Sequence, residues 1–199
     1  DDTLTVWLVD ITRQTPEFIE KLQSFVYPLS AYNNDCEARQ REIDLDRQYF
    51  CRASAFIVLN KQQELCATAF IIHKGSEKQK LPIEYSKIAA FEPNEWNCNL
   101  SRFDIGSNFK VDTSSWRLPA CEIYRLRVAE HSLRCPLTRK QRYAVLKAIY
   151  DRCVQVVEFR GYRAVHLTCS GKGTLPRLYS DKMKFHESAT VTYDGTEKW

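Results

Sequence analysis

The spacing of apolar residues changes several times along the chain, and each change marks an element. Leu4-Thr-Val-Trp-Leu-Val9 alternates and is rich in strand formers, which predicts a first strand. From Thr15 the spacing becomes helical. Thr15 is a cap candidate, Pro16 takes the first helical position, and Phe18, Ile19, Leu22, Phe25 and Val26 share one stripe. Tyr32 to Tyr49 is polar, with acids at Asp35, Glu37, Glu42, Asp44 and Asp46, and is expected to form a loop or short helix facing solvent or substrate. Ser54 to Leu59 and Leu65 to Ile72, joined by the polar turn Asn60 to Glu64, predict an antiparallel hairpin.

His73 to Leu118 has no sustained period and is expected to hold a short helix and a substrate-facing insertion. Glu122 to Val128 predicts another strand. The longest helix is expected from about Thr138 to about Phe159. Thr138 and Gln141 form a capping box at its start, Ala144, Val145, Ala148, Ile149, Val156 and Val157 carry its period, and Gly161 stops it. Tyr162 to Cys169 reads as a strand, Arg177 to Phe185 as a short helix, and Ser188 to Tyr193 as a last strand. No internal repeat or low-complexity linker interrupts this order, and a chain of 199 residues is expected to fold as one domain, 1–199.

Composition narrows the class. With 44% hydrophobic, 27% charged and 12% aromatic residues, the chain has the makeup of a globular protein able to bury a core. No apolar run approaches the about 20 residues that cross a bilayer, and Asp1-Asp-Thr-Leu lacks the basic and apolar regions of a secretory signal. No transmembrane segment and a cytoplasmic setting are expected. The eight cysteines are scattered without a Cys-x-x-Cys or a Cys/His cluster, so free thiols are expected and no metal site. A net charge of +4 suits an anionic partner, but basic and acidic residues are interleaved and no nucleic-acid motif is present.

Three local patterns carry a family resemblance. Asp44-Leu-Asp46 ahead of a strand, with Leu65-Cys-Ala-Thr-Ala-Phe70 after it, resembles the acidic pair and the "G-T-x-R-L" strand of acyl-homoserine lactone synthases. Glu122-Ile-Tyr-Arg-Leu-Arg-Val128 resembles their "E-x-S-R-x-x-V" strand, and Leu178-Tyr-Ser-Asp-Lys-Met-Lys-Phe185 resembles the "Y-x-x-x-G-F" helix of GNAT proteins. From about Asp44 to Phe185 the chain is similar to the long-chain N-acyl amino acid synthases. The resemblance implies an α+β fold, with a GNAT-like central twisted mixed sheet flanked by helices, and transfer of a long fatty acyl group from acyl carrier protein to the α-amine of an amino acid such as tyrosine. Phe70 stands where lactone synthases carry Arg, so lactone chemistry is not expected, and Met183-Lys184 replaces the usual small residue before Phe185.

Acyl transfer from a thioester to an amine needs a neutral amine, a polarised carbonyl and protonation of the leaving thiolate. Glu122 is the candidate base, the alternative being a strand carboxylate paired with Arg125 or Arg102. Strand alternation places Glu122, Tyr124, Leu126 and Val128 on one face and Ile123, Arg125 and Arg127 on the other, which gives Arg125 a bracing role towards the sheet or an acidic loop. By resemblance, the strand around Leu126, Arg127 and Val128 holds the acyl-phosphopantetheine donor, a substrate rather than a bound cofactor. Tyr179 protonates the thiolate, unless it is simply a core tyrosine.

A helix start at Thr138, Arg139 and Lys140 suits the donor phosphate, and with Arg134, Arg142 and Lys147 it makes a basic surface that is either a solvated face or a docking site for an acidic carrier protein. The acyl chain is expected among residues such as Phe56, Phe70, Ile72 and Leu126. The resemblance implies Tyr32, Asp44 and Asp46 as acceptor candidates, with Tyr124 a further one unless it is a core residue. Two alternatives stay open: the same fold using acyl-coenzyme A and a small amine, and a non-catalytic domain that binds an acylated carrier.

Overall fold

The computed structural model describes residues 4–79, 81–82, 118–129, 137–167, 169, 175–185, 191–193 and 196–198. Five strands form one mixed sheet in the order β1 (Thr5–Asp10), β2 (Ala53–Leu59), β3 (Leu65–Lys74), β4 (Ala120–Val128) and β5 (Ala164–Leu167). The chain divides into two compact units, residues 1–73 with 123–161, and residues 74–122 with 162–199.

In the first unit, β1, β2 and β3 are antiparallel, with Leu8 opposite Phe56 and Phe56 opposite Ala69. Both β2 and β3 are buried along nearly their whole length, so they carry continuous apolar runs in place of an alternating pattern. The register sorts their side chains between the two faces of the sheet. Ser54, Phe56 and Val58 share one face with Ala67, Ala69 and Ile71; Ala53, Ala55 and Ile57 share the other with Thr68, Phe70 and Ile72. Phe56 therefore points away from Phe70 and Ile72, and these residues cannot line one acyl pocket as expected.

Helix α1 (Pro16–Val26) begins as its sequence predicts. The Thr15 hydroxyl accepts from the Phe18 amide, and Leu22 and Val26 are buried. Helix α2 (Cys36–Phe50) corrects the expectation of a loop or short helix: it is a 15-residue helix, with the Asp35 side chain accepting from the amides of Glu37 and Ala38. Its inward stripe is Ile43, Asp46 and Tyr49, and Phe50 meets Phe70 with ring centroids 5.5 Å apart. The helix was hidden because two of its inward positions, Glu42 and Asp46, are acids.

Helix α3 (Arg139–Arg160) has the predicted capping box and a left-handed Gly161 at its end. Its buried seam is Val145, Ile149 and Cys153, and it packs on β1 and β2. Ala144, expected in that seam, is exposed. Arg160 Nη2 lies 3.4 Å from the Ser54 hydroxyl, which puts α3 on the Ser54 face and leaves α2, through Phe50, on the Phe70 face.

In the second unit, the Arg163 amide donates to the Pro119 carbonyl at 2.7 Å, tying the approach to β5 to the start of β4. A single helical turn, α4 (Leu175–Arg177), continues into a π-helical turn over Leu178–Lys182. Of the last predicted strand, Ser188 to Tyr193, the part from Val191 lies within the described residues and is a strand. β6 (Val191–Tyr193) pairs with β7 (Thr196–Lys198) in a separate hairpin and does not extend the main sheet. Among the described residues, Cys36, Cys51, Cys66, Cys121, Cys153 and Cys169 form no disulfide, while Cys98, Cys135 and most of the expected insertion lie outside the described residues.

Candidate active site around strand β4

Strand β4 changes character along its length. Ala120, Cys121 and Glu122 are buried, and Ile123 to Val128 are half-buried. Glu122 is 1% exposed, so its carboxyl group sits in an environment that penalises charge unless it is compensated. Three residues on, Arg125 adopts φ 51°, a left-handed conformation that a non-glycine residue holds at a cost of about 1–3 kcal/mol and that surrounding contacts must impose.

Those contacts are present within the first unit. Arg125 Nε donates to Asp46 Oδ2 at 2.9 Å and Nη2 donates to Glu42 Oε2 at 2.5 Å. The guanidinium carbon also lies 5.2 Å from the Tyr27 ring centre and 5.1 Å from that of Tyr124. Asp46, 2% exposed, accepts from the Tyr27 hydroxyl at 2.7 Å and from the Tyr124 hydroxyl at 2.9 Å as well. Burial alone would favour a neutral Arg125, but Tyr124, Asp46, Tyr27 and Glu42 raise its pKa well above the ordinary value, so it stays charged. Burial, and next the Asp46 carboxylate, pushes the Tyr27 phenol up strongly, so it stays protonated and donates.

This arrangement corrects the alternation expected for the strand. Tyr124 and Arg125 are consecutive, and a regular strand sends them to opposite faces. The left-handed turn of the backbone at Arg125 instead lets both reach the two oxygens of one carboxylate.

The acceptor candidates divide accordingly. Asp46 and Tyr124 are bonded to one another. The half-buried Tyr32 has its pKa raised by burial, with Arg125 opposing and Glu42 and Asp46 adding to the shift. Asp44 is separate: two positions from Asp46, it falls on the exposed side of α2, where it accepts from Gln40 and pairs with Arg47 at 3.1 Å. Glu42 and Tyr27 belong to the cluster and were missed. The legible signal was Glu42 and Asp46 four residues apart, a spacing that puts both on one helical face, whereas Asp44-Leu-Asp46 straddles two.

Among the donor candidates, Leu126, Arg127 and Val128 directly follow the left-handed residue and are half-buried, and the Ala129 amide closes the segment onto the Cys66 carbonyl at 2.7 Å. Thr138, Arg139 and Lys140 are exposed at the start of α3, where Thr138 is engaged in its capping box. Arg134 lies outside the described residues. In the second unit, which also contains Glu122, Tyr179 is buried in the π-helical turn, with its ring edge-on to Phe185 at 6.1 Å. Burial and the nearby Cys169 push its phenol up to about 12, so it holds its proton at neutral pH. Among the described residues, no group of three His, Cys, Asp or Glu side chains is placed to hold a metal ion, and no helix is long and apolar enough to cross a membrane.

No family model matches the chain, and no curated protein matches it in sequence. Solved structures do match in fold. One described as a "putative acetyl transferase from Pyrococcus furiosus" is 12% identical over 96% of this chain and 99% of its own, with a TM-score of 0.56. A second, an aminoglycoside antibiotic 6'-N-acetyltransferase from Acinetobacter baumannii, is 8% identical over 96% of both chains, with a TM-score of 0.51. A third, described as "a probable acetyltransferase", is 12% identical over 93% of this chain and 91% of its own, with a TM-score of 0.52. At these identities the likeness concerns the backbone, and the five-stranded mixed sheet with its flanking helices is the GNAT fold.

Proposed function

We propose that the chain is a cytoplasmic N-acyltransferase of the N-acyl amino acid synthase type, moving a long-chain fatty acyl group from acyl carrier protein to the α-amine of an amino acid, with tyrosine the first acceptor to test. The observation that carries this reading is the buried carboxyl group of Glu122 on the GNAT strand that ends in Leu126 to Val128. A carboxylate on that strand is a group able to accept the proton of an ammonium, which is what a base for this reaction must do.

In this reading Glu122 takes a proton from the incoming ammonium, directly or through water, and the freed amine attacks the thioester carbonyl. The carbon–nitrogen bond forms, the tetrahedral intermediate collapses as its nitrogen releases a second proton to solvent, from which Tyr179 is afterwards reprotonated, and the carbon–sulfur bond breaks. Tyr179, protonated at neutral pH, gives its proton to the thiolate. Backbone N–H groups in Leu126 to Val128 polarise the carbonyl and hold the pantetheine arm. The exposed Arg139, Lys140 and Arg142 offer positive charge to an acidic carrier protein.

The test is incubation with acyl carrier protein and coenzyme A thioesters of several chain lengths together with mixed amino acids, with products identified by mass spectrometry. Long-chain N-acyl amino acids made from the carrier thioester, and lost in Glu122→Gln, are the expected result. Short-chain amides made only from coenzyme A would overturn the donor and acceptor assignment. Undiminished product from Glu122→Gln would remove the base.

A further inference from the structure

We propose that Arg125 is a positioning residue: its ion pair with Asp46 ties helix α2 to the left-handed kink in β4 and so fixes the path of the Leu126–Val128 backbone. The consequence for catalysis rests on the reading of that segment as the donor cradle; the tether itself does not.

The inference comes from three observations that a simple surface ion pair would not combine. First, the left-handed residue is an arginine, so no absence of a Cβ explains its conformation. Second, the two residues at the kink, Tyr124 and Arg125, are anchored to opposite oxygens of the same buried carboxylate, which specifies the backbone direction between them. Third, Asp46 is itself held, by the Tyr27 hydroxyl at 2.7 Å, while the Arg39 Nε donates to the Tyr27 carbonyl at 2.6 Å. The kink is therefore referenced to the end of α1 and to α2, two elements whose placement does not depend on β4 alone. Arg125 also keeps the planar fork of donors needed to reach Asp46 through Nε and Glu42 through Nη2 at once, a geometry lysine lacks.

A donor laid along Leu126 to Val128 would meet N–H groups whose directions are set at Arg125. Arg125 then acts on the reaction without touching the substrate. Its loss is expected to weaken donor binding, while unchanged hydrogen exchange in α3 distinguishes positioning from general loss of stability.

The experiment uses Arg125→Lys and Arg125→Met in the full chain, with amide hydrogen exchange over Tyr124 to Val128 and steady-state kinetics for both substrates. Arg125→Lys, which keeps the charge beside Asp46 and Glu42, preserves the fold if Arg125→Met does not. The expected result is roughly tenfold faster exchange at Leu126 to Val128 in Arg125→Lys, with α3 unchanged, and a KM for the acyl donor raised about tenfold. Unchanged exchange in a folded variant would overturn the tether. Faster exchange with an unchanged donor KM would overturn its role in positioning the donor. If the wild-type protein transfers no acyl group from any donor, the functional reading fails, and the exchange measurement still decides the tether.

Discussion

The hydroxyl of Tyr27 donates to Oδ2 of Asp46 at 2.7 Å, the oxygen that also accepts from Arg125 Nε. A hydrogen bond to a buried charged group contributes about 1.5–3 kcal/mol, more than one between neutral partners. Tyr27→Phe is expected to lower unfolding free energy by about that amount in urea melts, because Asp46 would lose a partner it cannot replace with water. Tyr32→Phe, at a half-buried ring, serves as the comparison and should change stability by less than about 1 kcal/mol. Equal effects from the two would mean that the Tyr27 hydroxyl contributes little to the carboxylate's burial.

Thr68 presents the opposite case. Its side chain is fully buried in β3, and its hydroxyl has no hydrogen-bond partner among the described residues. An unpaired buried hydroxyl costs about 1–3 kcal/mol, so Thr68→Val, nearly the same shape, should be neutral or stabilising. A thermal melt is enough to check this. A clear fall in Tm for Thr68→Val would show that the hydroxyl is satisfied in solution, for example by a buried water.

Elements whose side-chain period follows their own backbone were legible from sequence: α1 with Thr15 and Pro16, the β2–β3 hairpin, and α3 between Thr138 and Gly161. Helix α2 was not, because Glu42 and Asp46 on its inner side carry charge satisfied by distant partners, Arg125 and Tyr124 of β4 and Tyr27 at the end of α1, and period analysis counts apolar residues. The same limit applied to the site. Glu122 and Arg125 were singled out from one short motif, and a bracing role for Arg125 against acidic residues was foreseen. The convergence of Tyr124 and Arg125 was not, since alternation assumes a regular strand and nothing in Tyr-Arg-Leu announces a left-handed residue. Phe56 was grouped with Phe70 because both are apolar strand residues; only the pairing register reveals that they face opposite sides.

The two ends of α3 allow a test of local energetics away from the site. Thr138→Ala removes the acceptor for the Gln141 amide and half of the capping box, at an expected cost of about 1 kcal/mol. Gly161 has φ 65°, and a Cβ built there would meet nothing within 4 Å, so the cost of Gly161→Ala comes only from the backbone, about 1–2 kcal/mol. Because the two positions are separated by the length of the helix and share no partner, the double variant should show the sum of the two losses. Strong non-additivity in urea unfolding would mean that the helix ends are coupled through the packing of its seam.

His73, at the end of β3, gives stability a pH dependence whose sign can be worked out. Its pKa is lowered from 6.5 by burial first, then by Arg160 and Arg52, so the folded protein favours neutral imidazole. Between the folded value and 6.5 the unfolded chain binds more protons at this position than the folded one, and stability therefore rises with pH across that window. Above 6.5 the contribution is fully present, and it is lost as pH falls through the folded value. Carboxylates act in the same direction at lower pH, so the informative quantity is the difference between wild type and His73→Gln. Urea unfolding from about pH 5 to 7 should show a shallower rise for His73→Gln than for wild type. Parallel pH profiles would show that His73 titrates alike in the folded and unfolded chain, and that Arg160 and Arg52 do not act on it.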